Sequence, residues 1–335
     1  MVAYRRMDAV SRLAPAARLL GIRTLIAVPV TLAVSAAMFA IASLSPFDPL
    51  AVYLGDNYQT ATLSQRQAVR AAYDTDVSWY TAWWRWLGDL FTGDLGWSST
   101  QSQSVEAVLT QRMPFTLGLS AAALIAATLI AVTLGALAGM RRGGVLDKLC
   151  SALSATFAAV PPFVVSLVLV AVLAVGLGLF PTSGARSPGD PYTVGGLVAH
   201  AVLPFVALTI SQVPWLLLTT RAAVVDTAGT DAIRAARARG IHGWALLKGH
   251  IVPSSIAPTL ALLGTRLPEV IAGAAIVETV FGWPGVAAVL VESASALDFS
   301  LLATLTVGAA LAVLLGSALS DAAATALDPR IGMRA

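Results

Sequence analysis

Six stretches of this 335-residue chain are predominantly apolar for about 20 residues or more, near residues 22–44, 115–139, 153–177, 199–220, 256–281 and 300–320. At ~1.5 Å rise per residue, each is long enough as a helix to cross the roughly 30 Å hydrocarbon core of a bilayer. A segment in lipid must satisfy its own backbone donors and acceptors, which limits spanning structures to helices and closed barrels. Composition agrees, with 57% hydrophobic and only 12% charged residues and a mean hydropathy of +0.78, where a soluble domain carries about 25% charged residues. The expected fold class is an all-α integral membrane protein with six transmembrane helices. Basic residues precede the first run as they would a secretory signal, but that run exceeds the roughly 7–15 residues of a signal core and reads as a membrane anchor.

The basic residues set the orientation. Arg5, Arg6, Arg12, Arg18 and Arg23 precede the first run, and Arg141, Arg142 and Lys148 lie between the second and third. Arg221, Arg234, Arg237, Arg239 and Lys248 lie between the fourth and fifth, and Arg330 and Arg334 follow the sixth. Of the 21 basic residues only Arg66, Arg70, Arg85, Arg112, Arg186 and Arg266 fall elsewhere. The positive-inside rule then puts both termini in the cytoplasm of a multi-pass cell-membrane protein. The expected organisation is a cytoplasmic segment 1–21, span one at 22–44, an extracytoplasmic insertion at 45–114, a transmembrane core at 115–326 containing a cytoplasmic loop 221–255, and a cytoplasmic tail 327–335.

The insertion is acidic, with Asp48, Asp56, Asp74, Asp76, Asp89, Asp94 and Glu106, and it carries Trp79, Trp83, Trp84, Trp86 and Trp97 of the chain's eight tryptophans. Indole rings favour the headgroup region, so this cluster reads either as an interfacial belt or as a docking surface for an extracytoplasmic protein. The run LSQRQAVRAAY at 63–73 is expected to be helical, with Leu63 and Ser64 at its start.

Several kinds of chemistry find no support. The phosphate-cradling pattern G-x-x-x-x-G-K-[ST] is absent, so ATP hydrolysis by that route needs another chain. Neither H-E-x-x-H nor G-x-S-x-G occurs. His200, His242 and His250 stand apart from one another, and the single Cys150 excludes an internal disulfide and any cysteine metal cluster. No catalytic residue, metal site, own cofactor or nucleic-acid partner is expected.

One charged interruption stands out, residues 231–253, DAIRAARARGIHGWALLKGHIVP. Thr230 is a plausible N-cap, Asp231 puts negative charge at the positive end of a helix, and Arg237 and Arg239 sit at its negative end. Gly240 can take the left-handed conformation that terminates a helix. Beyond it, Trp244, Leu247 and Ile251 recur at helical spacing, as if to pack on the spans, and Pro253 is expected to stop this second helix. Two short helices hinged at Gly240 would form a stiff lever along the membrane. The ordinary alternative is a basic loop that only fixes topology.

The run RAARARG at 234–240, followed by Val252 and Pro253, resembles the coupling loop of ABC importer permeases, in the form found in the dipeptide, oligopeptide and nickel branch. Arg234 stands where the general pattern has Glu, as is usual in the peptide branch, and His250 stands where it has a branched apolar residue. Further matches, in order, are SPFDP at 45–49, WRWLGDLFTGDLG at 84–96, VETVFGWPG at 277–285 and LDPRI at 327–331. The resemblance implies a type I importer permease fold and a B-type permease subunit of a peptide importer. It also implies a homologous second permease subunit, two ATPase subunits that bind ATP and Mg, an extracytoplasmic substrate-binding protein and a peptide substrate. By the same resemblance Asp231, Arg234, Ala235, Ala236, Arg237, Gly240 and Pro253 couple the spans to the ATPase. Nickel or haem is the alternative cargo for the same machinery.

Two charges depart from that family pattern. Arg266 and Glu269 fall inside the fifth run, spaced i, i+3 on one helix face. Intramembrane charge is costly and tends to face a bundle interior or water. The pair reads either as internal neutralisation or as part of the translocation path. Glu278, inside VETVFGWPG, is expected at the outer mouth as a gate or partner contact. Pro161, Pro162, Pro204, Pro214 and Pro268 are candidate kinks. A self-contained secondary transporter would typically show duplicated halves, which are not evident, and a non-transporting assembly subunit is a further alternative.

Overall fold

The computed structural model describes residues 9–44, 50, 54, 58–73, 77–191 and 193–327. Arg5, Arg6, Arg330, Arg334, the SPFDP match, all but the first residue of LDPRI, and Asp48, Asp56, Asp74 and Asp76 lie outside them. In chain order the elements are α1 (Ala9–Ser43), α2 (Leu63–Tyr73), α3 (Trp79–Thr92), β1 (Trp97–Ser98), β2 (Gln103–Ser104) and α4 (Val105–Met140). Next come α5 (Val145–Ala159), α6 (Pro162–Leu169), α7 (Val194–Ala228), α8 (Asp231–Ala238), α9 (Gly243–Leu246) and α10 (Val252–Ser255). The last three are α11 (Ala257–Phe281), α12 (Val286–Ala296) and α13 (Phe299–Leu327). Among the described residues the one ribbon pairs β1 and β2 antiparallel, Trp97 opposite Ser104.

Among the described residues five helices are long and apolar enough to span a membrane: Leu20–Ser43 of α1, then α4, α7, α11 and Phe299–Thr325 of α13. The expected third span, 153–177, is not one straight helix. Val145–Ala159 and Pro162–Gly176 form a pair bent by 101°, and a sixth span results only if that pair counts as one. The cause is the Pro161–Pro162 pair. The residue before a proline is pushed out of the helical region, and Val160 (φ −93°, ψ 121°) and Pro161 (φ −60°, ψ 144°) are both extended. Pro162 then starts α6, where its missing N–H costs nothing. After Leu169 the helix widens into a π-helical stretch, Val170–Gly176. By contrast Pro204 and Pro214 lie within α7, and Pro268 within α11, without ending either helix.

The chain forms two compact units, one from residues up to 25, 118–283 and from 313 on, the other from 26–117 and 284–312. In the first, α4 and α7 approach closely at Gly135 and Gly139. A Cβ on Gly135 would sit 2.9 Å from the Leu217 carbonyl oxygen and from Thr220 Cβ, and one on Gly139 would sit 2.9 Å from the Arg221 oxygen. Small residues four apart let helix backbones meet where lipid provides no hydrophobic drive for association. Thr220 and Thr259 hydroxyls share a 2.9 Å hydrogen bond between α7 and α11, an interhelical contact worth about 0.6 kcal/mol on average.

In the second unit α3 packs Trp86 and Leu87 against Phe39 of α1 and Ala303 and Val307 of α13. Asp298, buried at the start of α13, accepts from Ser98 Oγ (2.6 Å), Thr100 N (3.1 Å) and Thr100 Oγ1 (2.9 Å), which fixes the ribbon. The 63–73 helix forms as expected, and Thr62 is its N-cap. That residue's hydroxyl accepts from Gln65 N, and Gln65 Oε1 accepts from Thr62 N, a reciprocal capping box.

Candidate functional site: the coupling segment and an intramembrane charge cluster

The segment after α7 begins later than expected, because α7 stays helical to Ala228. Helix α8 follows at once. Thr230 occupies its N-cap position with extended backbone, but its hydroxyl donates back to the Thr227 carbonyl (2.7 Å) instead of capping α8. Asp231 and Arg234 form an exposed i, i+3 ion pair. The C-terminus closes as a Schellman turn: Ile241 N–H donates to the Ala236 carbonyl at 3.1 Å and Gly240 N–H to Arg237 at 2.9 Å. Gly240 has φ +82°, the left-handed conformation that the turn requires.

Burial divides α8 sharply. Ile233 and Ala236 are buried in a cluster with Val224 of α7 and Leu246, Leu247 and Ile251. Asp231, Arg234, Ala235, Arg237 and Gly240 are exposed. The helix is therefore a charged face mounted on a two-residue apolar keel, with Ala236 facing inward among the expected coupling residues. The keel residue Ile233 and its neighbour Leu246 were not singled out by motif; the i, i+3 spacing of Ile233 and Ala236 was the available signal.

The second half differs from expectation in two respects. Trp244 is exposed, with Lys248 Nζ 5.2 Å from its ring centre, and Leu246 takes the inward place. Pro253 does not end the helix, which continues through a π-helical turn, Leu247–Ile251, into α10. Pro253 falls in the first turn of α10, where a missing N–H is tolerated. His250 sits half-buried in that wide turn.

A clamp next to this segment went unrecognised in the sequence. Arg221 Nη2 donates to Asp147 Oδ2 at 2.9 Å and its Nε bonds Asp147 Oδ1, while Gly143 N–H donates to Oδ2 at 2.8 Å. Asp147 is buried, so the fork ties the start of α5 to the last turns of α7, which lead into α8.

The charges in α11 form a second cluster. Arg266 is only 7% exposed, pairs with Glu269, donates its Nε to Gln212 Oε1 at 3.3 Å and lies 5.1 Å from the Trp215 ring centre. Glu269 is 54% exposed at its side chain. It sits mid-helix in an outward stripe of Thr265, Pro268, Ala272, Ile276 and Thr279. Outward faces of α1 and α4 carry instead Leu25, Ile26 and Val28, and Leu117, Ile125 and Leu129. Glu278, expected at the outer mouth as a gate or partner contact, is fully buried in the last turn of α11, before the left-handed Gly282.

A cavity of about 230 Å³ lined by Leu134, Cys150, Phe157, Val213 and Leu217 is almost wholly apolar, which suits no peptide backbone. Among the described residues no group of three His, Cys, Asp or Glu side chains could hold a metal ion. His200 is buried, with Nδ1 2.9 Å from the Ser183 carbonyl oxygen.

Residues 131–333, more than half of the chain, match the family described as binding-protein-dependent transport system inner membrane component. The chain is 29% identical over 310 residues to the oligopeptide transport system permease protein AppB of Bacillus subtilis, covering 92% of this chain and 97% of that one. It is 30% identical over 312 residues, with the same coverage, to a protein of Brucella suis assigned as a peptide permease. It is 27% identical over 271 residues to the dipeptide transport system permease protein DppB of Lactococcus lactis, covering 81% and 86%.

Proposed function

Because the chain belongs to the family of binding-protein-dependent transport system inner membrane components, we propose that it is the permease subunit of an ATP-driven peptide importer, a multi-pass membrane protein lining half of the translocation path. Cargo follows from the relatives, which carry oligopeptide, peptide and dipeptide permease names. Nickel and haem find no support among them. The partners are a homologous permease subunit, two ATPase subunits that bind ATP and Mg, and an extracytoplasmic substrate-binding protein. Both termini and α8 face the cytoplasm, and ATP hydrolysis belongs entirely to the partners.

The observation that carries this reading is the split face of α8. An eight-residue helix with Asp231, Arg234 and Arg237 outward is seated through Ile233 and Ala236 on the end of α7 and on the α9–α10 segment. A motor can shift a two-state membrane element only through contacts that differ between the states. A rigid charged helix keyed into the spans meets that need: closure of the ATPase pushes on α8, and the keel and the Arg221–Asp147 clamp pass the displacement to α7 and α5. Ala236 acts from within the seat, Gly240 fixes the angle between the two arms, and Pro253 shapes the second. Arg237→Glu is expected to abolish ATP-driven peptide uptake while the chain still inserts. Undiminished uptake, with the ATPase subunits still co-purifying, would sink the assignment.

Arg266 and Glu269 line the path in this reading. A half-exposed carboxylate midway along a spanning helix is too costly to face lipid, so the stripe around Glu269 faces water or the second permease subunit. Replacing both residues by serine is expected to impair uptake with assembly intact, and unchanged uptake would remove them from the path. Glu278 contributes as an interior residue of the gate region, not as a docking group.

A further inference from the structure

Helix α3 has three faces. At about 100° per residue around its axis, Trp83, Trp86 and Leu90 fall on one side and join the packing against α1 and α13. Tyr80, Trp84 and Phe91 fall together on a second side, and all are exposed, Trp84 at 63% and Phe91 at 84%. Thr81, Arg85, Asp89 and Thr92 occupy the third. An exposed aromatic side and a polar side divided along one helix suit a boundary between two solvents.

The packing partners act as a depth gauge. Trp83 Nε1 donates to Ser35 Oγ at 2.9 Å, and Trp86 lies against Phe39 with ring centres 5.8 Å apart. Counting inward from Ser43 at ~1.5 Å per residue, Phe39 lies about 6 Å and Ser35 about 12 Å from the helix end. On α13, Ala303 and Val307 lie about 6 and 12 Å inward from Phe299 by the same measure. The spanning part of α1, Leu20–Ser43, is 24 residues, and that of α13, Phe299–Thr325, is 27. Their lengths, roughly 36 and 40 Å, exceed the ~30 Å hydrocarbon core by only about 3–5 Å at each end if centred. Both rulers therefore put α3 several ångströms below the hydrocarbon boundary, level with one leaflet.

We propose that α3 is a monolayer-inserted helix whose Tyr80, Trp84 and Phe91 side contacts phospholipid acyl chains and the inner headgroup boundary, while Arg85 and Asp89 reach toward water. The exposed aromatic side of α3 is then a lipid contact, and a soluble partner meets the polar side alone. This reading does not depend on what the protein transports.

Cys150 is the only cysteine, so Cys150→Ser gives a background for single labels. Tyr80→Cys, Trp84→Cys, Phe91→Cys, Arg85→Cys and Asp89→Cys, each carrying a nitroxide, would be compared in the assembled transporter reconstituted in phosphatidylcholine–phosphatidylglycerol vesicles. At 80, 84 and 91 the ratio of oxygen to nickel-chelate collision is expected to exceed that at 85 and 89 by about threefold or more, as for a helix lying in the interface. Equal, chelate-rich collision at all five positions would mean a water-exposed docking face and overturn the proposal. So would shielding of 80, 84 and 91 from both reagents, which would mean a protein covers them. As a check free of labels, Trp84→Phe is expected to lower the share of tryptophan fluorescence quenched by brominated phospholipid, and an unchanged share contradicts the assignment.

Discussion

Helices α8 and α3 are both short, both amphipathic and both seated on apolar neighbours, yet they present opposite chemistry outward. The outer face of α8 is Asp231, Arg234 and Arg237, and much of the outer face of α3 is Tyr80, Trp84 and Phe91. Charge remains solvated until a polar protein groove replaces the water, whereas a contiguous exposed aromatic face marks a place that lipid or another apolar surface covers. The lesson is that the inward face tells where a helix sits, and the outward face tells what covers it.

The sharpest break in that comparison comes from the seat. Ile251→Asp puts an unpaired carboxylate into the fully buried cluster beneath α8, at a cost of several kcal/mol. Loss of ATPase subunits on purification and loss of uptake, with the spans still inserted, is the expected result. The next contrast places the same charge on each outer face. Phe91→Asp should lower thermal stability in lipid by about 1 kcal/mol or more, because the carboxylate enters the leaflet, while Ala235→Asp should leave the melting temperature nearly unchanged and act on uptake alone. Equal melting shifts would erase the distinction between the two faces.

Two glycines refine it further. Gly240 holds φ +82° with open space around its missing Cβ, so Gly240→Ala should cost about 1 kcal/mol from conformation alone and loosen coupling. Gly88 lies mid-helix in α3, also with open space, and Gly88→Ala should stabilise by about 0.5–1 kcal/mol. Opposite signs in thermal unfolding are the expected outcome. The smallest effect is Arg234→Ala, which removes an exposed ion pair with Asp231 and should change stability by ~0.5 kcal/mol or less, so that any large fall in uptake must come from a lost contact with the partner.

Apolar run length made five spans legible, and the termination of α8 at Gly240 followed from local chemistry. The bend at Val160 was less legible because an apolar run reports total length and says nothing of direction, although the Pro161–Pro162 pair was its signal. Trp244 is exposed and Leu246 takes the inward place beside Leu247, a choice between nearby apolar residues that a 3.6-residue period alone leaves open. Gly135 and Gly139 and the Arg221–Asp147 fork depend on which helices become neighbours, which hydropathy leaves open. The α3 face division was written in the sequence, but its depth emerged only once Ser35 and Phe39 were seen beside Trp83 and Trp86.

The central claim is that α8 is the contact through which an ATPase drives the spans. Ala235 lies on its exposed face and outside the buried seat, so Ala235→Cys in the Cys150→Ser background can report that contact by cross-linking within the assembled, transport-active complex. An adduct with the ATPase subunit, accompanied by loss of uptake that reduction restores, is the predicted result. A complex that contains the ATPase, transports peptide and yields no such adduct with linkers of any length would contradict the account.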